Sequence, residues 1–508
     1  MRALSEWLWG VNAKWSYLLV AAILMLFTFL GSREIWTQEH RWADIVYAMF
    51  YYHDFFHPSL NGVPYYDKPL LSYWFIALAA MIIGNFDTWA MRIPSALAGL
   101  LTLWSIYSLG KNLKNKQLGF LASWMLLTTF YFIFWARTSS ADMLNMAGTL
   151  YAVAFYFSKK EAPRFWDYAV FFLVLALTAL CKGLIGPVVA CIAIFIDIVL
   201  HKSFKKHLRI PVIIAILPAL VIYFLPFWVS LKSGAGHYDE NGLSLVYREN
   251  IVRYFTPFDH QGPIYTYFIF LPVYLFPWTI LFLPALFSLK SRFKNMPLYS
   301  KWLFLTLLVL FLFFTISGSR RNYYVLPLVP FAILFTADWI LINTQNLKRS
   351  FAAASLTVIF FIAFFIDFSI VQPLYYLGGG THQFVMDLKQ EVNHIKPWSE
   401  WNIVMLDPES KVRFYLGLSP KTQSYEILSD ERTRQTTRSL LSEWPFLHEA
   451  NRRSDTIFIS REQYANQLRH ILKNYTLLEA KPGLGEKLRK QNPHLPVAFL
   501  PMDKKDSV

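Results

Sequence analysis

The ionisable residues best suited to catalysis or ligand binding lie together in residues 37–74, between two apolar segments. They occur among many aromatic rings and are Glu39, His40, Arg41, Asp44, His53, Asp54, His57, Asp67 and Lys68. Charged groups beside aromatic rings at a membrane face suit a substrate with a charged head, hydroxyl groups and an apolar tail. Composition alone equally allows a solvated loop within an aromatic belt at the level of the lipid headgroups.

Further ionisable residues interrupt the apolar segments downstream. Asp142 follows Arg137 after a polar break, and an acid there is costly unless it faces a cavity, which favours a functional role. Lys182, between two apolar segments, could reach a substrate phosphate or cap a helix end. Arg320 and Arg321 fall on the side that carries few cations, which makes them candidates for binding a phosphate or a lipid headgroup.

The composition excludes a soluble protein and a disordered one. Of 508 residues, 55% are hydrophobic and only 16% are charged, compared with about a quarter charged in ordinary soluble chains. The net charge of +15 arises from short Lys and Arg clusters between long apolar runs, which indicates membrane topology and no nucleic-acid partner. The two cysteines, Cys181 and Cys191, both lie in apolar stretches and predict no disulfide framework.

The apolar segments predict a mainly α, polytopic membrane protein. Twelve segments before residue 372 are candidate spans, but twelve crossings cannot place every basic cluster in the cytoplasm. If residues 69–85 form a juxtamembrane element, about eleven spans remain and all the clusters fall on one side. The N-terminus is then cytoplasmic, while the loops 32–91 and 232–263 and the tail are external.

The tail predicts a small α/β domain over residues 372–508, following a transmembrane domain over residues 1–371. Its β-like runs are WNIVML and DTIFIS, and its helix-favouring stretch is SREQYANQLRHILKN. Gly378-Gly379-Gly380 is the expected hinge. The tail could dock an acceptor or bind another protein, and its residues do not decide between these roles.

Several motifs together resemble those of a known family. The chain contains EHRWAD (39–44), NGVPYYDKP (61–69), RIPSA (92–96), RTSSAD (137–142), CKG (181–183) and SGSRRNYY (317–324). These resemble the C-type (GT-C) glycosyltransferases that use polyprenyl-phosphate sugars. The similarity is to the bacterial branch with the lipid A 4-amino-4-deoxy-L-arabinose transferases and relatives of the protein O-mannosyltransferases.

The resemblance implies a set of site residues. The donor phosphate is expected at Lys68, which matches the acidic-Lys-Pro motif, with Arg320, Arg321 and Lys182 as further phosphate-binding candidates. A carboxylate near the acceptor would be the general base, and a cation would offset the charge on the leaving phosphate. Supporting positions are Gln38, Arg41, Asp44, Asp67, Arg137 and Tyr66, although Arg41 and Asp44 could simply pair with each other.

One position departs from the family pattern. Gln38 stands where the first acid of the pair is expected, and glutamine cannot accept a proton at neutral pH. The catalytic carboxylate is therefore Glu39, or Asp142 takes the role; a different acceptor or an inactive protein are the alternatives. If the acceptor is itself a phosphate, the carboxylates would mainly position groups or bind a metal.

A divalent metal ion is allowed by the resemblance, but the sequence does not require one. His53 and His57 are four residues apart, yet Pro58 follows directly and no third ligand is evident. The loop 232–263, which includes Arg248, Glu249 and Arg253, resembles the family loop that covers the sugar side of the cavity. A solvated connecting loop is the alternative.

The function expected from this resemblance is sugar transfer from an undecaprenyl-phosphate donor to an acceptor on the periplasmic face of a bacterial inner membrane. Lipid A or another glycolipid is the preferred acceptor, and a serine or threonine of a protein is the alternative. A lipid or small-molecule transporter is the rival from another class. The clustering of acids in external loops, rather than within spans, argues against it.

Overall fold

The structure is a computed structural model. It describes residues 2–36, 38–60, 62–66, 68–207, 209–232, 247–257, 260–342, 347–408, 411–425, 447, 455–488 and 494–502. The chain divides into two compact units. The first comprises residues 1–30, 55–58 and 64–369, and the second comprises residues 31–54, 59–63 and 370–508.

The first unit is helical, as the apolar segments predict. Its N-terminal helices are α1 (Arg2–Leu8) and α2 (Trp15–Phe27). After α3 (Glu39–Tyr52), which belongs to the second unit, come α4 (Leu71–Ile83), α5 (Thr88–Leu113), α6 (Lys116–Leu127), α7 (Phe130–Ala136), α8 (Ala141–Lys159), α9 (Phe165–Lys182), α10 (Ile185–Leu200), α11 (Phe204–His207) and α12 (Ile210–Lys232). They are followed by α13 (Arg253–Phe255), α14 (Thr266–Tyr274), α15 (Thr279–Phe287), α16 (Leu289–Arg292), α17 (Leu298–Ile316), α18 (Val329–Ile342) and α19 (Leu347–Ile366).

The protein is a multi-pass membrane protein. Among the described residues, six helices are long and apolar enough to cross a bilayer, or seven if α6 and α7, which meet at 73°, form one broken span. Helix α4, within the predicted juxtamembrane segment 69–85, has 13 residues, so it extends only about 20 Å at 1.5 Å per residue. The count of eleven crossings and the juxtamembrane placement of α4 stay predictions.

Small residues let the helices of the first unit approach closely. A Cβ atom on Gly110 of α5 would come within 2.8 Å of the backbone of Gly119 in α6. Gly148 of α8 similarly packs directly on Thr178 of α9. Such close backbone approach is the usual basis of helix packing in membranes, where no hydrophobic force drives helices together. It fixes α8 against α9, which carry two of the predicted site residues.

The second unit is an α/β structure around a five-stranded sheet. A two-residue pair, β1 (Ser59–Leu60) and β2 (Val63–Pro64), precedes the strands of this sheet. The sheet strands are β3 (Asn402–Leu406), β4 (Ser424–Tyr425), β5 (Thr456–Arg461), β6 (Tyr475–Glu479) and β7 (Pro496–Pro501). Their order is β4-β3-β5-β7-β6, with β3 parallel to β4 and β5, and with β7 antiparallel to β5 and β6. The strands predicted from WNIVML and DTIFIS are confirmed as β3 and β5.

Helices cover both faces of this sheet. The helices after residue 370 are α20 (Gln372–Tyr375), α21 (Gly380–Asn393), α22 (Lys411–Leu416) and α23 (Glu462–Ile471), and α23 confirms the helix predicted at SREQYANQLRHILKN. Ile403 and Met405 of β3 pack with α21 and α22, whereas Val404 and Leu406 pack with α23. This alternation is the period of two that a strand buried on both faces requires.

The second unit also contains a segment from the N-terminal part of the chain. Residues 31–54, which include α3, cluster with residues 370–508 and not with the helices that surround them in sequence. Sequence reasoning assigned this segment to the transmembrane domain as part of the loop 32–91. The periplasmic location of residues 372–508 and the hinge at Gly378-Gly379-Gly380 stay predictions.

Candidate active site

Two of the predicted site residues in the first unit form an ion pair. Asp142 lies in the first turn of α8, where its backbone N–H donates to the hydroxyl of Ser140 at 3.2 Å. Lys182 is the last residue of α9, and its ammonium pairs with the Asp142 carboxylate. An acid at a helix N-terminus and a cation at a helix C-terminus each complement the helix dipole. Both side chains are largely buried, so the pair is shielded from water.

Residues of the motif SGSRRNYY (317–324) lie next to the pair of Asp142 and Lys182. The Lys182 ammonium lies 5.2 Å from the ring centre of Tyr324 and 5.8 Å from that of Tyr323. Arg321 donates to the Tyr323 hydroxyl at 3.1 Å and contacts the His260 Nδ1 atom at 2.9 Å. The structure therefore brings Asp142, Lys182 and Arg321 together, although they are far apart in sequence.

Arg320 makes a different set of contacts from its neighbour. Its Nε atom donates to the carbonyl of Thr315 at 3.0 Å and its Nη1 atom donates to that of Gly262 at 2.6 Å. Its backbone N–H donates to the carbonyl of His260 at 2.7 Å. These bonds join the end of α17 to the segment that precedes α14, which is a structural role for a predicted phosphate ligand.

Lys68 joins a second charged group in the same unit. Its ammonium lies 4.0 Å from the Oε2 atom of Glu249, and Glu249 also pairs with Arg253, one helical turn further along. The side chain of Asn250 accepts a hydrogen bond from the backbone N–H of Leu184 at 2.7 Å. Because Leu184 is two residues beyond Lys182, this contact links the Lys68 group to the Asp142–Lys182 pair.

The two groups together bring several cations close to one another. Among the described residues, four cationic side chains, those of Lys68, Lys182, Arg253 and Arg321, accompany two carboxylates, those of Asp142 and Glu249. Partly buried cations favour an anion, and phosphate oxygens accept strong charge-assisted hydrogen bonds. We call these six residues the cationic cluster.

Glu39, the first candidate for the catalytic carboxylate, belongs to the second unit. It occupies the first turn of α3 and is fully buried. Its Oε2 atom accepts hydrogen bonds from the Trp36 N–H at 2.9 Å and from the Arg33 Nη2 atom at 3.4 Å. Gln38 occupies the N-cap position of α3, and its side chain makes no capping hydrogen bond.

Comparison with known proteins identifies the type of enzyme. Residues 67–229 match the family described as dolichyl-phosphate-mannose-protein mannosyltransferase. An undecaprenyl phosphate-α-4-amino-4-deoxy-L-arabinose arabinosyl transferase of Shewanella sediminis is 24% identical over 421 residues, which cover 80% of this chain and 72% of that protein. An uncharacterized protein of Aquifex aeolicus is 26% identical over 374 residues, covering 72% and 71%.

A solved structure shares the fold. ArnT from Cupriavidus metallidurans bound to undecaprenyl phosphate superimposes with a TM-score of 0.71 at 12% identity, covering 95% of this chain and 97% of that one. This protein is a glycosyltransferase, and it resembles the C-type family in sequence and fold. The predicted resemblance to the lipid A arabinosyl transferase family is confirmed.

The family match includes half of the cationic cluster of the glycosyltransferase. Lys68, Asp142 and Lys182 lie within residues 67–229, whereas Glu249, Arg253 and Arg321 follow it. Glu249 and Arg253 belong to the loop expected to cover the sugar side of the cavity, and the structure places Glu249 beside both Lys68 and Arg253. The spacing of four residues between Glu249 and Arg253 was the available signal for their pairing. Half of the loop 232–263, and Asp67, lie outside the described residues.

The supporting residue Asp44 interacts with the C-terminal part of the glycosyltransferase. Burial raises the pKa of its carboxyl group to about 7, and the nearby Arg413 guanidinium only partly opposes this shift. Burial also lowers the pKa of Arg413, so for both residues desolvation outweighs their mutual attraction. Arg413, not Arg41, is the charged group that acts on Asp44.

Arg137 makes structural hydrogen bonds to backbone carbonyls. Its guanidinium donates to the carbonyls of Met25 at 2.8 Å and Thr28 at 2.8 Å, where α2 ends. A third bond, at 3.4 Å, reaches the carbonyl of Phe368. These contacts satisfy carbonyls that a helix C-terminus leaves without partners, so Arg137 holds the bundle together beside Asp142. Tyr66, a further supporting residue, is half-buried.

The described residues of the glycosyltransferase contain no group of three or more His, Cys, Asp or Glu side chains that could hold a metal ion. His57 contacts the carbonyl of Ser230 through Nε2 at 2.9 Å. The donor set for a divalent metal is therefore not assembled among these residues.

Proposed function

We propose that this glycosyltransferase moves a sugar from an undecaprenyl-phosphate donor to an acceptor at the periplasmic face of a bacterial inner membrane. The observation that carries the proposal is the cationic cluster, in which four cations accompany two carboxylates. A lipid phosphate would accept charge-assisted hydrogen bonds from these cations, and its polyprenyl tail would lie in the bilayer. The relatives that are named for undecaprenyl-phosphate sugars support this donor class.

Within this proposal the cluster binds the donor phosphate through Lys68, Arg253 and Arg321. Lys182 lies at the edge of the same group, where Asp142 and the rings of Tyr323 and Tyr324 orient it. Breaking the bond between the anomeric carbon and the phosphate oxygen leaves an additional negative charge on the lipid phosphate. Fixed cations at that position stabilise the charge as it develops.

The acceptor oxygen forms the new bond to the anomeric carbon. If it is a hydroxyl, its proton must go to a base, and we assign that role to Glu39, the carboxylate next to the position where the family pattern has its first acid. If the acceptor is a phosphate group, it is already ionised and needs little base catalysis. Glu39 would then position the acceptor instead.

Lipid A or another glycolipid is our first choice of acceptor, and the arabinosyl transferase relatives support it. A protein serine or threonine is the second candidate, because residues 67–229 match a family of protein mannosyltransferases. Both acceptors use the same donor chemistry and differ only in where the sugar is found after the reaction.

The location of transferred label tests the choice. Membranes containing the protein are incubated with undecaprenyl-phosphate donors that carry radiolabelled sugars, and lipid and protein fractions are then separated. Label in the lipid A fraction supports the glycolipid acceptor, whereas label that survives delipidation and is released from serine or threonine supports the protein acceptor. Absence of transfer with every donor, from folded protein, would contradict the proposal.

A further inference from the structure

Two distant parts of the second unit meet at the carboxylate of Glu34. Its Oε2 atom pairs with the ammonium of Lys411 at 2.6 Å, and its Oε1 atom accepts from the backbone N–H of His382 at 3.0 Å. Gly380, the first residue of α21, leaves room for this carboxylate, since a Cβ atom there would collide with it. Glu34 thus binds the N-terminus of α21, where helix N–H groups lack intrahelical partners.

Ile35, which follows Glu34, is held by α22, the helix that carries Lys411. The backbone N–H of Ile35 donates to the hydroxyl of Tyr415 at 2.9 Å. Lys411 and Tyr415 are four residues apart in α22, so both side chains lie on one face of it. Residues 34 and 35 are therefore fixed by α22 through an ion pair and a hydrogen bond.

The residues on either side of this anchored dipeptide contact Glu39. Arg33 and the backbone N–H of Trp36 donate to the Glu39 carboxylate at 3.4 and 2.9 Å. A shift of residues 34 and 35 would move both donors. The position of the Glu39 carboxylate therefore depends on groups of the C-terminal domain more than 370 positions away in the sequence.

Helix α3, which carries Glu39, is also held by residues 413–417 at positions that follow Glu39. The Tyr47 hydroxyl donates to the carbonyl of Gly417 at 3.1 Å, and Asp44 lies near Arg413. Arg413 is itself fixed by a bond of 2.9 Å to the carbonyl of Ser419. Residues 411–417 consequently contact the segment 34–47 before and after Glu39.

We propose that Lys411 and Tyr415 are positioning residues for glycosyl transfer, and that the C-terminal domain is part of the scaffold that orients Glu39. This inference rests on the proposed function, in which Glu39 acts on the acceptor. Neither residue needs to touch a substrate. Their effect passes through Glu34, Ile35 and the donors of the Glu39 carboxylate.

The test measures kcat and donor KM of single and double variants of the full chain in proteoliposomes. We expect Lys411→Met and Tyr415→Phe each to lower kcat by about tenfold, because small misplacements of a reacting group are costly. The donor KM should change by less than about twofold, since the cationic cluster is untouched. Lys411→Arg, which keeps the charge, should restore most of the rate.

The comparison that isolates positioning uses the Glu39→Asp background, in which the carboxylate is already displaced by one methylene. There the Lys411 and Tyr415 variants should cost little further activity, because coupled residues give non-additive losses. Arg469→Met is the matched control. Arg469 forms an exposed ion pair with Glu479 at 3.2 Å in the same unit, and its loss should leave kcat unchanged.

Unchanged kcat in both Lys411→Met and Tyr415→Phe would overturn the inference, as would fully additive losses in the Glu39→Asp background. If Lys411→Met does not fold, Tyr415→Phe, which deletes one hydroxyl, carries the test. Failure of the proposed function is distinguishable: it would appear as no transfer by the unaltered protein, or as full activity of Glu39→Gln.

Discussion

Lys182 ends helix α9 with its ammonium on the carboxylate of Asp142, which begins helix α8. The pair is largely buried and lies next to the rings of Tyr323 and Tyr324. Removing one partner of such a pair leaves an uncompensated charge, whereas removing both partners does not. The pair therefore allows the structural and the functional roles of Asp142 to be separated.

Asp142→Asn should lower the free energy of unfolding by about 3 kcal/mol, because the Lys182 charge loses its carboxylate. The double variant Asp142→Asn/Lys182→Met should recover most of that stability while transfer remains low, because the site has lost a cation. Thermal unfolding in detergent and a transfer assay measure the two effects. Equal destabilisation by the single and the double variant would show that the pair is not the cause.

Glu249 shares its carboxylate between Lys68 and Arg253, so it competes with a donor phosphate for both cations. We expect Glu249→Gln to bind undecaprenyl phosphate about tenfold more tightly, which corresponds to roughly 1.4 kcal/mol. Thermal stabilisation by added lipid gives the affinity. The control is Glu161→Gln, which removes an exposed carboxylate paired with Lys206 at 3.7 Å. Weaker binding by Glu249→Gln would mean that Glu249 holds the cations in place and does not compete.

The buried carboxyl group of Asp44 should make the free energy of unfolding of the protein depend on pH. Burial raises the pKa of its carboxyl group from 3.8 to about 7, so between these values the folded protein keeps a proton that the unfolded chain releases. Stability should fall as the pH rises through this window, by roughly 4 kcal/mol at most. Asp44→Asn should match the unaltered protein near pH 4 and exceed its melting temperature at pH 8. Glu400→Gln, at an exposed position, should show no such trend; a pH-independent difference for Asp44→Asn would refute the assignment.

Arg320 and Arg321 are adjacent and should respond differently to the same change. Arg320→Gln removes bonds to the carbonyls of Thr315 and Gly262, so it should cost about 1–3 kcal/mol of stability. Arg321→Gln removes contacts to the side chains of Tyr323 and His260 rather than to backbone carbonyls, so it should cost less stability than Arg320→Gln. It should weaken the binding of undecaprenyl phosphate about tenfold. Unfolding and lipid-binding measurements on both variants check the contrast. Loss of lipid binding in Arg320→Gln alone would reverse the two roles.

The local features of the fold could be predicted from the sequence. Apolar length identified the helices, and runs of β-branched residues identified β3 and β5, because both signals are contained in a few consecutive residues. The pairing of Asp142 with Lys182 was not predicted from the sequence. Each residue stood out as a charge in an apolar context, but their contact depends on how α8 packs against α9.

Contacts between distant residues could not be predicted. Nothing near Asp44 indicates that its charged neighbour is Arg413, and nothing near Glu34 indicates Lys411, because one sequence does not encode which surfaces meet. The same holds for Arg320 and Arg321. Both looked like external arginines, and only the positions of nearby backbone carbonyls distinguish them.

The most direct test of the central claim is sugar transfer by the purified protein in proteoliposomes supplied with an undecaprenyl-phosphate donor and lipid A. We expect transfer by the unaltered protein, and a loss of at least about tenfold in Lys68→Ala through a raised donor KM. Lys116→Ala, at an exposed lysine at the start of α6, should transfer normally. Unaltered donor KM and rate in Lys68→Ala would contradict the assignment of the cationic cluster to the donor phosphate.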